Sequence, residues 1–197
     1  MKKFQNKQTG FTLIEMVVAT GIFSMLAISA VSIMIAVSKA QAKIQRTQAA
    51  IDNIRYSLEL ITKEMRVGTQ YKLISPNECG DSGTDEINFV ASTPAGSQRR
   101  YFIDTDAGGV KRLMRIKKTT GAISSADCSS AISLSADEVT VDRFRMVPRG
   151  NTASPGSTDG QPWIVINLKV SAIDPKGVAH STMDLQTSIT QRIRDFP

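Results

Sequence analysis

The fold of this protein is decided near its N-terminus, by the stretch GFTLIEMVVATGIFSMLAISAVSIMIAV at residues 10–37. From Met16 to Val37 there are 22 residues without a charge, and ten of them are Val, Ile, Leu or Phe. One helix needs roughly 20 such residues to cross a bilayer core. The stretch is therefore predicted to span a membrane, and its one acid, Glu15, needs an explanation.

The first ten residues, MKKFQNKQTG, contain Lys2, Lys3 and Lys7 and no acid. Positive charge beside a membrane span holds that side in the cytoplasm. We therefore expect one span, with the rest of the chain on the outer side. Of the formal net charge of +6, only +3 remains when these ten residues are left out. The body is then mildly basic, so nucleic acid is a less favoured partner.

An amphipathic pattern follows the apolar stretch without a break. Apolar positions recur in alternating steps of three and four residues, which is the period of one helix face. These positions are Ile44, Thr47, Ile51, Ile54, Leu58, Ile61 and Met65. Gly21 is the only glycine between Phe11 and Met65, and the first proline is Pro76. One helix is therefore predicted over residues 12–67, about 84 Å long at 1.5 Å per residue.

Beyond residue 70 the apolar period becomes two, as in a strand with one buried face. The alternating positions include Ile87 and Phe89, Tyr101 and Ile103, Val139 and Val141, an apolar run at 165–172, and Met183, Leu185 and Ile189. The sequences DAGG at 106–109 and DPKG at 174–177 separate strand-like runs and suit hairpin turns. The predicted fold class is α+β, a long helix packed on an antiparallel meander.

Three tracts without periodicity are rich in Gly, Ser and Pro and are predicted to be surface loops. They are SPNECGDSGTD at 75–85, TTGAISSADCSS at 119–130 and RGNTASPGSTDGQP at 149–162. Two of them contain the chain's two cysteines, Cys79 and Cys128. In an oxidising compartment this even count favours one disulfide. The alternatives are two separate buried cysteines, or a bond to another chain.

Residues suited to catalysis are scarce. His180 is the only histidine, and no nucleophile or zinc signature surrounds it in the sequence. The two cysteines are too far apart for CxxC chemistry and lack a histidine at metal-ligand spacing. We therefore expect no enzyme activity and no cofactor.

Two acids at the DAGG turn resemble the start of a calcium-binding loop. Asp104 and Asp106 precede Gly108 and Gly109, and alternate carboxylates can surround a hard cation. The position of the last glutamate in such a loop holds Arg115 instead. A hairpin turn is the preferred interpretation, and calcium is the weaker alternative.

Seven basic residues flank the same turn. They are Arg99, Arg100, Lys111, Arg112, Arg115, Lys117 and Lys118. If 100–105 pairs with 110–115, they lie on both faces of one hairpin. Charged residues protect exposed strands from edge-to-edge aggregation, so a solvated edge is the preferred interpretation. A patch that binds an anionic partner subunit or DNA is the alternative.

The N-terminal residues also resemble a known family. Gly10-Phe11-Thr12-Leu13-Ile14-Glu15 follows a short basic leader and precedes a long apolar helix. This arrangement is similar to the signal sequence of type IV pilins and type II secretion pseudopilins. Residues 57–71 and the C-terminal stretch MDLQTSITQRIRDFP are most similar to J-type minor pseudopilins and related minor pilins.

The resemblance implies processing by a prepilin peptidase, which would cut between Gly10 and Phe11 and methylate the new amine of Phe11. Glu15 would act in assembly by pairing with the Phe11 amine of a neighbouring subunit. The implied segments are a leader at 1–10, a membrane-spanning and filament-core half-helix at 11–37, an amphipathic half-helix at 38–69 and a β-rich head at 70–197.

The implied location is the bacterial inner membrane, with the head in the periplasm or outside the cell, and then a filament. The implied partners are other pilin or pseudopilin subunits, the peptidase and an inner-membrane assembly platform. Two alternatives stay open. One is a filament-tip module that recognises DNA, a surface or a secreted substrate, and the other is a plain membrane-anchored β-domain protein.

Overall fold

The computed structural model describes residues 10–92, 94–149, 163–173 and 179–192. This part of the chain is α+β, as predicted, with one long helix followed by antiparallel strands. The helix, α1, spans Leu13–Arg66. The strands are β1 Thr69–Ile74, β2 Glu86–Ala91, β3 Ser97–Thr105, β4 Lys111–Lys118, β5 Ile132–Ser133, β6 Val139–Arg149, β7 Trp163–Ile173 and β8 Ala179–Thr190.

Two compact units make up the chain, Met1–Ile44 and Gln45–Pro197. In the first unit, every described side chain from residue 10 to residue 44 is exposed. The exposed side chains include large apolar ones, such as Phe11 at 77% and Phe23 at 71% of their surface. Between Met16 and Val37 this surface is unsuited to water, because it exposes many large apolar side chains and no charge.

In the second unit, α1 buries one stripe of its surface. Ile54, Ile61 and Met65 are fully buried, which confirms the predicted stripe over this part of the helix. The stripe also contains Ser57, which the apolar pattern did not include. The Ser57 hydroxyl can be buried because it is hydrogen-bonded to the Leu134 carbonyl at 2.8 Å.

The strands form two sheets rather than one. The first sheet has the order β1-β2-β3-β4-β5 and the second has the order β6-β7-β8, and every pair is antiparallel. Neighbours in the sheets are neighbours in the chain, so the predicted meander is confirmed and is divided in two. Segment 100–105 pairs with 111–116 instead of 110–115. Val110 belongs to the turn, where its carbonyl accepts a hydrogen bond from the Asp106 N–H at 2.9 Å.

Most predicted loops fall between these strands. Residues 75–85 separate β1 from β2, and the tract at 119–130 is a loop that ends in a 3-10 helix, Ser125–Ser130. DPKG at 174–177 and nearly all of the tract at 149–162 lie outside the described residues. Strands β7 and β8 on either side of the DPKG sequence pair as a hairpin would require.

One core joins the stripe of α1 to both sheets within the second unit. Side chains from α1, from β2 to β4 and from β6 to β8 belong to the same buried cluster. The rings of Phe89 and Tyr101 stack inside it, with centroids 6.0 Å apart. The helix and both sheets therefore share this core, and a smaller cluster of Phe102, Ile116 and Ile123 is buried separately against β3 and β4.

Gly68 makes the reversal from α1 into β1. Its N–H donates to the Met65 carbonyl at 3.0 Å, and its carbonyl accepts from the Gln191 amide at 2.8 Å. A Cβ atom at this position would lie 2.5 Å from the ring of Phe89. Only glycine therefore lets the backbone pass this closely over the core.

We predict that Gly68→Ala lowers the free energy of unfolding by about 1–3 kcal/mol, the usual cost of overpacking. Phe89→Leu removes the ring edge that the new methyl group would meet. The two substitutions should therefore be non-additive in a double-mutant cycle, measured by urea unfolding of the full chain in non-ionic detergent. Strict additivity would show that the Phe89 ring is not what excludes a side chain at Gly68.

Candidate functional site

The N-terminal segment changes from extended chain to helix at Thr12. Gly10, Phe11 and Thr12 precede the first helical residue, Leu13. The Thr12 side-chain oxygen accepts a hydrogen bond from the Glu15 N–H at 3.3 Å. A side-chain bond to the third residue of a helix is the mark of an N-cap. Thr12 thus fixes the start of the helix, and the Gly10–Phe11 bond lies outside it and is exposed.

Thr12 is a functional residue that the sequence analysis missed, although a signal for it was present. A Thr followed three residues later by Glu is the capping-box pattern. The helix dipole also favours an acid in the first turn, by about 0.3–1 kcal/mol at an exposed site. Glu15 therefore has a local reason to be near the helix start, in addition to any role in assembly.

By length and composition, α1 is able to cross a membrane. Its hydroxyl groups do not oppose this, because each one shown to bond donates back to a carbonyl three or four residues earlier, at 2.7–3.0 Å. The donors are Thr20, Ser24, Ser29, Ser32 and Ser38. Such hydroxyl groups need no water, so they do not hinder the entry of the helix into lipid.

Comparison with known proteins places one family on this segment. The sequence matches the family described as the Prokaryotic N-terminal methylation motif over residues 5–37. The match contains Gly10, Phe11 and Glu15 and the apolar part of α1, and it ends before the head. The chain therefore carries a pilin-type N-terminal motif in front of a helix compatible with membrane anchoring. Comparison with curated proteins and with solved structures gives no match.

The prediction that basic residues form a solvated edge is wrong for the two arginines on β3. Strand β3 is the middle strand of the first sheet, between β2 and β4, so it has no free edge. Arg99 and Arg100 are only 3% and 2% exposed. Both side chains lie beside acids of the same chain, which the sequence analysis did not pair with them. The two arginines on β3 are therefore too buried to contribute to the patch proposed for an anionic partner.

Glu64, near the end of α1, is the acid that holds three residues of β3 and β4. Its carboxylate accepts from the Arg115 guanidinium at 3.1 Å and from the Tyr101 hydroxyl at 2.5 Å, and it lies 3.6 Å from Arg99. Burial, followed by the negative charge of Glu64, raises the pKa of Tyr101 well above its ordinary value. The hydroxyl therefore stays protonated and remains a donor to the helix.

Arg100 is the centre of a second buried cluster. Its guanidinium donates to Glu78 at 2.7 Å and to the Ile123 carbonyl at 3.0 Å, and lies 3.0 Å from Glu86. Glu86 is itself fully buried. Its second carboxylate oxygen accepts three backbone N–H groups at 3.0–3.1 Å, those of Glu78, Cys79 and Gly80. The loop at 75–85 is thus held around one carboxylate.

The disulfide lies beside this cluster. Cys79 and Cys128 are bonded, with Cα atoms 5.4 Å apart. It links the loop at 75–85 to the 3-10 helix, 49 residues further along the chain. Cross-links over loops of this length stabilise a fold by about 4 kcal/mol on the chain-entropy model.

Asp106 is committed to its turn. Its carboxylate accepts from the N–H groups of Gly108 and Val110 at 2.8 and 3.0 Å, and from Arg112 at 2.9 Å. The hydrogen bond from Val110, followed by that from Arg112, lowers the pKa of Asp106. This geometry fits the hairpin interpretation and leaves Asp106 less available for calcium. Among the described residues, no group of three or more His, Cys, Asp or Glu side chains is placed to hold a metal ion.

The remaining basic residues of the predicted patch differ in whether an acid pairs with them. Arg112 also pairs with Asp137, at 3.2 Å, and Lys118 pairs with Asp127 at 2.8 Å. Lys111 and Lys117 have no ion pair within the described part of the chain. His180 falls within β8, but its side chain lies outside the described set.

We predict that Arg100→Leu destabilises the head by about 3–5 kcal/mol, because it leaves the buried Glu86 carboxylate without its cation. Arg55→Leu removes an exposed arginine of α1 and should change the stability by about 0.5 kcal/mol or less. Urea unfolding of the full chain in non-ionic detergent, followed by circular dichroism, measures both. Equal effects of the two substitutions would contradict a special role for the Arg100 cluster.

A pH dependence is expected at the 3-10 helix. The hydrogen bond from Lys118, followed by that from the Ser124 N–H, lowers the pKa of Asp127 from 3.8 to about 2. Because the folded-state pKa is depressed, the stabilisation is complete above pH 3.8 and is lost as pH falls through about 2. Lys118→Gln should raise the pKa of Asp127, measured by carboxyl carbon NMR.

The neighbouring Lys117→Gln is the control for that titration. Lys117 is exposed, and no bond joins it to Asp127 in the described structure. If both substitutions move the pKa of Asp127 equally, general charge and not the Lys118 contact sets it.

Proposed function

We propose that this chain is a minor pilin or pseudopilin, processed by a prepilin peptidase and assembled through α1 into a type IV pilus or a type II secretion pseudopilus. The observation that carries the proposal is the methylation motif at residues 5–37, which coincides with the start of α1. The antiparallel head behind a long helix suits a J-type pseudopilin or a related minor pilin. The expected location is the inner membrane, with the head on its outer side, and then the filament.

The processing step is the cut between Gly10 and Phe11. This bond lies two residues before the N-cap Thr12, in exposed chain, where a peptidase can reach it without unwinding the helix. The cut would create a cationic amine on Phe11. Methylation keeps that amine charged, so the mature helix would begin with a positive charge four residues before Glu15.

The assembly step uses Glu15. A lone carboxylate in a membrane is costly, by about 2.5–3.5 kcal/mol at a helix centre and less near its end. In a bundle of parallel helices, Glu15 of one subunit can meet the Phe11 amine of its neighbour, and both charges are then paired. The carboxylate would thus favour the assembled state over the free subunit and fix the axial offset between helices.

The head would be carried by the second half of α1. Within Gln45–Pro197 the helix shares its core with both sheets and is tied to β3 and β4 through Glu64. A helix bonded to its head in this way can transmit the position of a filament core to the outer surface. The partners proposed are other pilin or pseudopilin subunits, the peptidase and the assembly platform.

The first test is processing. Expressed with a prepilin peptidase, the chain should begin at an N-methylated Phe11 by mass spectrometry, and Gly10→Val should leave the leader in place. An intact leader on the wild-type chain, or a mature start beyond α1, would refute the proposal. The Gly10→Val chain should still insert, since the substitution leaves the apolar stretch unchanged.

The second test separates a filament subunit from a plain membrane anchor. Glu15→Leu makes the span more apolar, so it should insert at least as well. It should nevertheless assemble poorly, because the Phe11 amine of a neighbour loses its partner. The measurement is the fraction of processed chain in sheared filaments for wild type, Glu15→Asp and Glu15→Leu. Normal incorporation of Glu15→Leu would show that the carboxylate has no role in assembly.

A further inference from the structure

The outer face of the second sheet carries exposed arginines along β6 and an exposed tryptophan at one end of β7. We propose that this face binds single-stranded nucleic acid. The outer face is the side of β6, β7 and β8 that points away from the core. The residues that carry the proposal are Arg143, Arg145, Arg149, Trp163, Asn167 and Lys169.

Strand geometry places these six residues on one surface. Arg143, Arg145 and Arg149 are separated by two and by four residues along β6, and residues an even number of positions apart point to the same side of a sheet. The intervening Phe144 and Met146 are 0% and 1% exposed, so they point into the core. The arginines therefore face outward.

Pairing with β7 brings the other three beside them. Arg143 lies opposite Lys169, Arg145 opposite Asn167, and Arg149 opposite Trp163. The first two rows are two residues apart along the strands, about 6.7 Å, and the third lies four residues beyond the second, about 13 Å, with the Val147–Val165 pair between them. The result is one surface with a basic row, a basic and polar row and, beyond the valine pair, a basic and aromatic row.

The charges of this face are more available than those of the first sheet. In the part of the chain that the structure describes, Arg143, Arg149 and Lys169 have no ion pair, and Arg145 pairs with Asp85 while 53% of its side chain stays exposed. On β3 and β4, by contrast, buried and half-buried acids hold the arginines. A phosphate chain approaching the outer face from solvent would therefore meet the cations of Arg143, Arg149 and Lys169.

Two acids limit the path that such a chain can take, Asp142 of β6, whose carboxylate accepts from the Ser171 hydroxyl of β7 at 2.6 Å, and Asp184. Asp184 of β8 lies opposite Lys169, at the end of the Arg143 row. A phosphate backbone placed over β8 would meet this carboxylate, whereas one placed over β6 would follow the three arginines. The bases would then point toward β7, where Asn167 and Trp163 lie.

Trp163 supplies the contact that favours a nucleic acid over other polyanions. It is the only tryptophan of the chain, and 42% of its surface is exposed at the start of β7. An exposed indole beside an arginine offers a stacking platform for a base, and Asn167 offers both a donor and an acceptor to a base edge. An acidic polysaccharide or an acidic protein would use the cations but has no bases to stack.

The experiment uses the full chain in non-ionic detergent and an oligo-dT of about 16 nucleotides, the upper range for one binding unit. Because Trp163 is the only tryptophan, quenching of its fluorescence reports stacking at this position alone. We expect saturable quenching by oligo-dT and none by heparin, an acidic polysaccharide without bases. Equal or tighter binding of heparin, without quenching, would overturn the proposal in favour of a general polyanion surface.

Binding by charge variants is measured from the fluorescence anisotropy of a labelled oligo-dT. Arg143→Ala with Lys169→Ala should weaken binding about tenfold or more, and should lower the slope of log K against log salt by about 1.4, at 0.7 per lost phosphate contact. Lys72→Ala with Lys117→Ala removes the same charge from exposed positions of the first sheet and is the matched control. Equal weakening by both pairs, or no binding by the wild type, would refute the outer face as the site.

Substitutions at Trp163 separate stacking from charge. Trp163→Phe keeps an aromatic ring and should bind within a few-fold of the wild type, whereas Trp163→Ala should bind clearly less tightly with an unchanged salt slope. Equal binding by both would eliminate stacking and with it the preference for nucleic acid. None of these measurements requires leader cleavage or assembly, so they stand or fall independently of the proposed pilin function.

Discussion

The burial of one helix stripe is the interaction on which the rest of the head depends. Ile54, Ile61 and Met65 are fully enclosed, and the residues that enclose them come from both sheets. Neither sheet could cover its own inner face alone, because each is a single layer whose inner side is apolar. Without the helix there would be no common core, and the two meanders would lose the surface that holds them together.

Buried ion pairs fix the alignment of elements that the apolar contacts alone leave open. An arginine taken out of water is tolerated only when an acid and other hydrogen-bond acceptors replace its hydration. Glu64 does this for Arg115 and lies beside Arg99, while Glu86 and Glu78 do it for Arg100. These pairs demand specific partners, whereas apolar contacts accept many arrangements. They therefore select one alignment of α1 and of the loop at 75–85 against the first sheet.

The same helix serves two environments, and its composition changes accordingly. Up to residue 44 its side chains are exposed, and those of the first half are mostly apolar, as suits contact with lipid or with other helices. From Ala50 onward one stripe is buried in the head while the other faces remain polar. No glycine or proline interrupts the helix at this change, so its backbone is continuous although its surroundings differ.

The sequence by itself determined the elements whose signal is local. The apolar run, the 3.6-residue stripe, the alternating strands and the motif at Gly10 to Glu15 each follow from neighbouring residues, and α1 and the meander appear where they were expected. Only the tertiary structure decided which charges are free. Arg99 and Arg100 look like surface residues in the sequence, yet each is buried beside an acid from an earlier part of the chain. Glu64 lies 35 positions before Arg99, and Glu86 lies 14 positions before Arg100. Burial depends on which strands become neighbours. The division into two sheets, and with it the exposed outer face, is decided by the packing of the whole chain.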